Sequence, residues 1–254
     1  MAGCTIDLNC DMGEGCGADE ALMPLVSSAN VACGGHAGDE ASMRETVRLA
    51  RRHGVAVGAH PSYPDRAGFG RKLLPRTAAE VRADVVAQVR ALAMVCGAEA
   101  VPLVHVKPHG ALYSDAAQDE ALARAVAEAV LAVDPGLVLV CLAGSPMVNV
   151  VRGLGLACAE EGFADRGYTS RGTLVPRGEP GALVQDPQAV AARASRMARE
   201  RTVVSVDGTT VPVAADTICI HGDTPGAAAL AAAVRARLAA DGVWVRALPG
   251  PAHR

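Results

Sequence analysis

Short apolar runs alternate with longer amphipathic stretches along the whole chain, which predicts strands joined by helices. The runs at 5–9, 26–31, 55–59, 102–107, 137–142, 156–160 and 217–221 read as strands. The helices between them have legible ends. Thr77 and Glu80 form a capping box at the head of AAEVRADVVAQVRALAMVC, with Gly97 as the expected stop. Ser145-Pro146, Asp186-Pro187 and Thr224-Pro225 each set a cap residue before a first-turn proline, whose missing N–H would be unpaired there anyway. Further helices are expected from about Glu40 to His53, ending at Gly54, and from about Ala117 to Val133, ending before Pro135. This order predicts an α/β fold of parallel strands with crossover helices. Periodicity does not separate a doubly wound open sheet from a closed barrel. One stretch departs from it: TVVSVDGTTVPV at 202–213 predicts a β-hairpin turning on Asp207-Gly208. With no linker, repeat or low-complexity segment, residues 1–254 are expected to form one domain carrying that hairpin as a small insertion.

Composition narrows this. The 254 residues suit one large α/β domain. Half are hydrophobic but only 2% aromatic, so the core must be built of Val, Leu, Ile and Ala. A net charge of -3 with both signs scattered excludes a nucleic-acid footprint, which needs clustered Lys and Arg. The N-terminal MAGCTIDLNCDMGEG lacks the marks of a signal peptide, and no apolar run reaches the roughly 18 residues of a membrane helix. A cytoplasmic protein without membrane contact is expected. Eight cysteines include no CxxC pair, so they read as small buried hydrophobes in a reducing compartment. A zinc site or catalytic cysteine has no spacing support.

The strand ends carry the candidate chemistry, since catalytic groups of parallel α/β folds gather at the carboxyl ends of strands. The first strand gives Asp7, Asn9 and Asp11, then Glu14; the second leads through Asn30 to His36 and Asp39. The third ends at His60 and Asp65; the fourth gives His105, Lys107 and His109. Later ends give Glu160, Glu161, Asp165 and Arg166, then His221 and Asp223. Period-two geometry puts Asp7, Asn9 and Asp11 on one face, and His105 and Lys107 on one face. Polar groups facing a barrel interior are costly unless hydrogen-bonded or ligand-bound. A satisfied internal network explains one such strand more easily than five of seven.

His36, His60 and Asp11 could hold a divalent metal, since imidazole and carboxylate suit Zn, Mn or Fe. On a continuing strand His105 and His109 would stand about 13 Å apart at about 3.3 Å per residue, but Pro108 is expected to break it. His53 and His253 read as solvated. Glycines in CGGHAGD, GFGR and GDTPGA could admit an anion to backbone N–H groups. Neither GxxxxGK[ST] nor GxGxxG after a strand occurs, so no nucleotide motif is present. Arg166 and Arg171, near Tyr168, are candidate anchors for a carboxylate or phosphate.

IDLNCDMGEG, SANVACGGHAGD, GAHPSYPDRAGFGR, VKPHGALY, EGFADRGY and ICIHGDTPGA resemble the successive signature segments of the LamB/YcsF family, in order from about residue 5 to 230. The resemblance implies an irregular seven-stranded (β/α) barrel related to the glycoside hydrolase/deacetylase superfamily. It also implies the A component of an ATP-dependent 5-oxoprolinase, which converts 5-oxo-L-proline to L-glutamate with two partners, its B and C components. In that setting Asp11 or His60 would be the general base on water. His109 or His221, with Lys107, would stabilise the oxyanion, and Arg166 would grip the substrate carboxylate. Asp7, Asn9, Glu14, His36, Asp39, Glu161, Asp165, Arg171 and Asp223 join them as expected substrate-binding positions, and a divalent metal stays open. A stand-alone metal-dependent deacetylase or amidohydrolase, and a non-catalytic binding component, are the other two readings.

Overall fold

The computed structural model describes residues 4–222 and 226–250. Its strands are β1 (Thr5–Met12), β2 (Ser28–Ala32), β3 (Ala56–His60), β4 (Leu103–Val106), β5 (Val138–Leu142), β6 (Ala157–Phe163), β7 (Thr202–Val204), β8 (Thr210–Pro212), β9 (Thr217–Ile220) and β10 (Trp244–Val245). The helices are α1 (Asp19–Leu22), α2 (Glu40–His53), α3 (Ala78–Ala98), α4 (Gly110–Ala116), α5 (Glu120–Val133), α6 (Pro146–Gly153), α7 (Pro187–Glu200) and α8 (Ala227–Ala240).

Strands β1 to β6 pair in sequence order, all parallel, and β9 joins β6 to β1. The result is a closed seven-stranded barrel, which resolves the ambiguity the alternation left. β10 adds to the start of β1, outside the closure. β7 and β8 form a separate antiparallel pair with Val203 opposite Val211.

Alternation within β1 divides its residues between two environments. Leu8, Cys10 and Met12 are fully buried in the main aliphatic core, against the helix layer. Asp7, Asn9 and Asp11 contact residues of β2, β6 and β9 and Lys107, just after β4, across the interior. The barrel is therefore polar inside and aliphatic outside.

Local signals decide several helix ends. Thr77 and Glu80 close the capping box at α3, and Gly54 ends α2 at φ 67°. Gly97 does not stop α3, which runs one residue further before Ala100 turns at φ 54°. The helix expected over 117–133 is shorter: α4 ends at Ala116, and Asp119 caps α5 through Ala121 and Leu122 N–H. Thr224-Pro225 lies outside the described residues, as do Asp223 and His253. The cysteines do not follow one rule: Cys10, Cys33, Cys96, Cys141 and Cys219 are buried, Cys158 is half-buried, and Cys4 and Cys16 are exposed. Cys4 precedes β1 and Cys16 lies in the glycine-rich turn after it, outside the core. Among the described residues no helix is long and apolar enough to cross a membrane.

Candidate functional site

The barrel interior is one connected polar network with a distinct bottom and top. At the bottom Asp7 accepts hydrogen bonds from Ser27, Ser28 and Thr217 hydroxyls. Burial raises its carboxyl pKa despite those bonds. Asp7 is sealed in at the bottom of the barrel, where its carboxyl is part of the packing.

In the middle, Asn9 donates to Glu161 Oε1 at 2.9 Å and to Thr217. Asn30 donates to Asn9 Oδ1 and Asp11 Oδ1, and its own Oδ1 accepts from His105 Nε2 at 2.7 Å. Burial lowers the His105 pKa to about 3, so the ring is neutral. His105 fits because residue 58 opposite it is glycine: a Cβ there would fall 2.1 Å from Nε2.

Lys107 marks the next level. Its Nζ lies 3.0 Å from Asp11 Oδ1, 3.0 Å from Glu161 Oε1, 3.1 Å from Cys219 Sγ and 3.2 Å from Asn9 Oδ1. Burial alone would lower this amine, but Asp11 and the other acceptors outweigh it and hold it charged. Its three N–H groups face these four acceptors, so Lys107 organises the carboxyl groups around it. Burial would raise Asp11, yet His60 and Lys107 beside it hold the carboxyl well below the usual range, which makes it a poor proton acceptor.

Three histidines meet at the top. His60 ends β3, His109 follows Pro108 just beyond the end of β4 at Val106, and His36 stands in the loop before α2. His109 stacks on His36 with centroids 3.7 Å apart and lies 3.1 Å from His60 Nε2 through Nδ1. Glu14 Oε1 accepts from His36 Nε2 at 2.9 Å. Burial lowers His36 to about 3 and His109 to about 2. His60 moves the other way: burial would lower it, but the Asp11 carboxylate 3.4 Å away raises it. The turn at Phe69 (φ 55°) and Gly70 (φ 63°) roofs this cluster. A side chain at position 70 would meet His36 Cβ at 2.9 Å and His109 Cδ2 at 3.0 Å, so glycine is required there.

On the opposite side, Asp165 Oδ2 accepts from His221 Nδ1 at 2.8 Å, and the ring stacks on Phe163. His221, with 12% of its side chain exposed, and Asp11, with 10%, are more open than the buried His60 and Glu161. Burial would raise Asp165, but His221 outweighs it and lowers the carboxyl.

The structure brings together Asn9, Asp11, Glu14, His36, His60, Lys107, His109, Glu161, Asp165 and His221. Three expected positions fall elsewhere. Asp39 is exposed and caps α2, accepting from Ser42 N–H. Arg171 is exposed in the turn after Tyr168. Arg166 is buried and donates to the Ala182 and Val175 carbonyls, pinning its own loop. Asn30, Cys219 and Phe163 complete the site; of these Asn30 is legible as a strand-end amide and Cys219 reads as a small buried hydrophobe, whereas Phe163 is not singled out by the strand pattern.

A sequence model of the LamB/YcsF family matches residues 6–253. A protein of Chloroflexus aggregans, named as the A component of 5-oxoprolinase, is 55% identical over 247 residues, covering 95% of this chain and 98% of its own. The crystal structure of a lactam utilization protein from Thermus thermophilus superposes with a TM-score of 0.91 at 49% identity, covering 96% of this chain and all of that one. A family 4 carbohydrate esterase from Streptomyces lividans shares the fold at a TM-score of 0.51 and 14% identity, covering 98% and 94% of the two chains.

Proposed function

The chain belongs to the LamB/YcsF family, and from that premise we propose that it is the lactam-handling component of a 5-oxoprolinase. In this reading it opens 5-oxo-L-proline to L-glutamate in an ATP-dependent complex with two further proteins, the B and C components. The observation that carries the proposal is full-length similarity to proteins named as the A component of 5-oxoprolinase, in a chain whose polar barrel mouth presents an oriented imidazole.

The reaction adds water to the lactam carbonyl carbon and breaks its C–N bond, so one proton must leave the water and one must reach the departing nitrogen. His221 suits both transfers. Its Nδ1 is committed to Asp165, which leaves Nε2 to take a proton from water and return it to nitrogen. Asp11 and Lys107 fix the charge pattern beneath. ATP would activate the lactam by phosphorylating the carbonyl oxygen and become ADP; attack of one water with C–N cleavage would leave an acyl phosphate, which a second water hydrolyses to the carboxylate and inorganic phosphate. The nucleotide would be bound by a partner, since this chain has no P-loop or dinucleotide motif.

The test is glutamate release from 5-oxoproline, measured with this chain alone and then with the B and C components, each with and without ATP. Release confined to the complete ATP-containing mixture is the expected result. ATP-independent release by the chain alone, or none from the complete mixture, overturns the proposal.

A further inference from the structure

We propose that Glu14, His60 and His109 form a binding site for one divalent transition-metal ion, with Zn2+ the best match, at the barrel mouth. The proposal starts from the protons on two rings. A carbonyl oxygen only accepts, so His60 Nδ1 donates its hydrogen to the Lys107 carbonyl at 2.7 Å. For the same reason His109 Nε2 donates to the Phe69 carbonyl at 2.9 Å. A neutral imidazole has one N–H, so with both rings neutral the two facing nitrogens, His60 Nε2 and His109 Nδ1, present lone pairs to each other 3.1 Å apart. Two acceptors at that distance repel unless a cation, a proton or a metal ion, sits against both. Anchoring the far nitrogen on a backbone carbonyl is also how proteins aim a metal-binding histidine.

Glu14 Oε1 completes a triangle, 3.6 Å from His109 Nδ1 and 3.9 Å from His60 Nε2. Donors about 2.0–2.1 Å from a tetrahedral ion stand about 3.3–3.4 Å apart, so a small inward shift of Glu14 closes the set.

His36 belongs beside the set and not in it. Its ring is only 7° from parallel to His109 at 3.7 Å, so an ion in the plane of one ring lies well out of the plane of the other. His36 Nε2 instead donates to Glu14 Oε1 and holds that carboxylate in place.

The untagged full-length chain, stripped with EDTA, is titrated with ZnCl2 by calorimetry and with CoCl2 by visible absorption. One ion per chain and an intense tetrahedral-type Co2+ spectrum are expected. His36→Ala keeps that stoichiometry and weakens binding roughly 10–100-fold, as for loss of a group that orients a ligand. His60→Ala and His109→Ala lose more than that. His53→Ala, at the exposed end of α2, binds as the unaltered chain does. Absence of stoichiometric binding, meaning a shared proton only, overturns the proposal. So does unchanged affinity in folded His60→Ala and His109→Ala chains. Where those variants fail to fold, a weak octahedral-type Co2+ spectrum in the unaltered chain overturns it.

Discussion

Lys107 Nζ and Asp11 Oδ1 stand 3.0 Å apart inside a barrel whose interior strand residues are otherwise mostly acceptors or neutral donors. The pair is buried, and the same ammonium also serves Glu161. Removing one partner of such a pair strands the other charge in a low-dielectric interior. Lys107→Met is therefore expected to destabilise the chain by about 3–5 kcal/mol in urea unfolding. Lys107→Arg is not expected to rescue it, because a planar guanidinium cannot replace a compact ammonium among four fixed acceptors. A Lys107→Met chain as stable as the original would show that the ammonium is dispensable to the interior network.

Gly58 and His105 make the second prediction. A methyl group on residue 58 would overlap the imidazole, forcing His105 off Asn30 Oδ1. Overpacking of this kind costs about 1–3 kcal/mol. If the clash is with the ring itself, Gly58→Ala combined with His105→Ala costs less than the sum of the single changes. Additive losses in the double-mutant cycle would place the strain elsewhere.

The strand pattern was readable because a barrel of this kind repeats one local rule: apolar outward, polar inward, with chemistry after the last residue. Seven strands followed from it, and Asp7, Asn9 and Asp11 turned inward together as their spacing predicted. Closure did not follow, since it depends on β9 pairing with β1 across 210 residues, as Asp7 and Thr217 do. The positions that fall outside the cluster have equally local causes. Asp39 follows a glycine-rich loop bearing His36, which drew it into the site, yet Asp39 and Ser42 bracketing the start of EASMRE are a helix start. Arg166 looked like an anion anchor because its partners are backbone carbonyls, which residue identity does not reveal. The facing lone pairs of His60 and His109 depend on which carbonyl holds each far nitrogen, and that is written only in three dimensions.

Arg166 gives the third prediction. Its guanidinium spans the Val175 and Ala182 carbonyls, a fork that an ammonium cannot reproduce. Arg166→Lys should cost about 1–3 kcal/mol through an unsatisfied carbonyl and speed proteolysis within 166–184. KM for 5-oxoproline in the reconstituted enzyme should stay unchanged. A raised KM with intact stability would return Arg166 to substrate binding.

Glu99 ties α3 to α2 by accepting from Arg44 Nη1 and Arg48 Nε, both at 2.8 Å. The bonds from Arg48 and Arg44 lower its pKa to about 2 from an ordinary 4.5. A carboxyl depressed on folding contributes stability above its unfolded pKa, and that contribution is lost as pH falls through the folded value. The Tm difference between the original chain and Glu99→Gln should be full above about pH 5 and shrink to nothing toward about pH 2. A difference constant across that window would mean the carboxylate charge contributes nothing.

The last prediction concerns His221 and Asp165. The carboxylate holds Nδ1 at 2.8 Å, so it selects the tautomer that leaves Nε2 bare and supports the ring when it becomes cationic. Proton transfer by a positioned side chain typically contributes about 10²–10⁴-fold. His221→Asn should therefore lower kcat for ATP-coupled glutamate production by about 10²–10⁴-fold with little change in KM. Asp165→Asn keeps a ring partner but removes the charge, so it should lower kcat as well, by a smaller factor, with KM again little changed. A variant losing KM and not kcat would show that the pair binds substrate and does not move its protons. Retention of near-normal turnover by both variants would transfer the proton work to His60, whose pKa the Asp11 carboxylate raises in spite of burial.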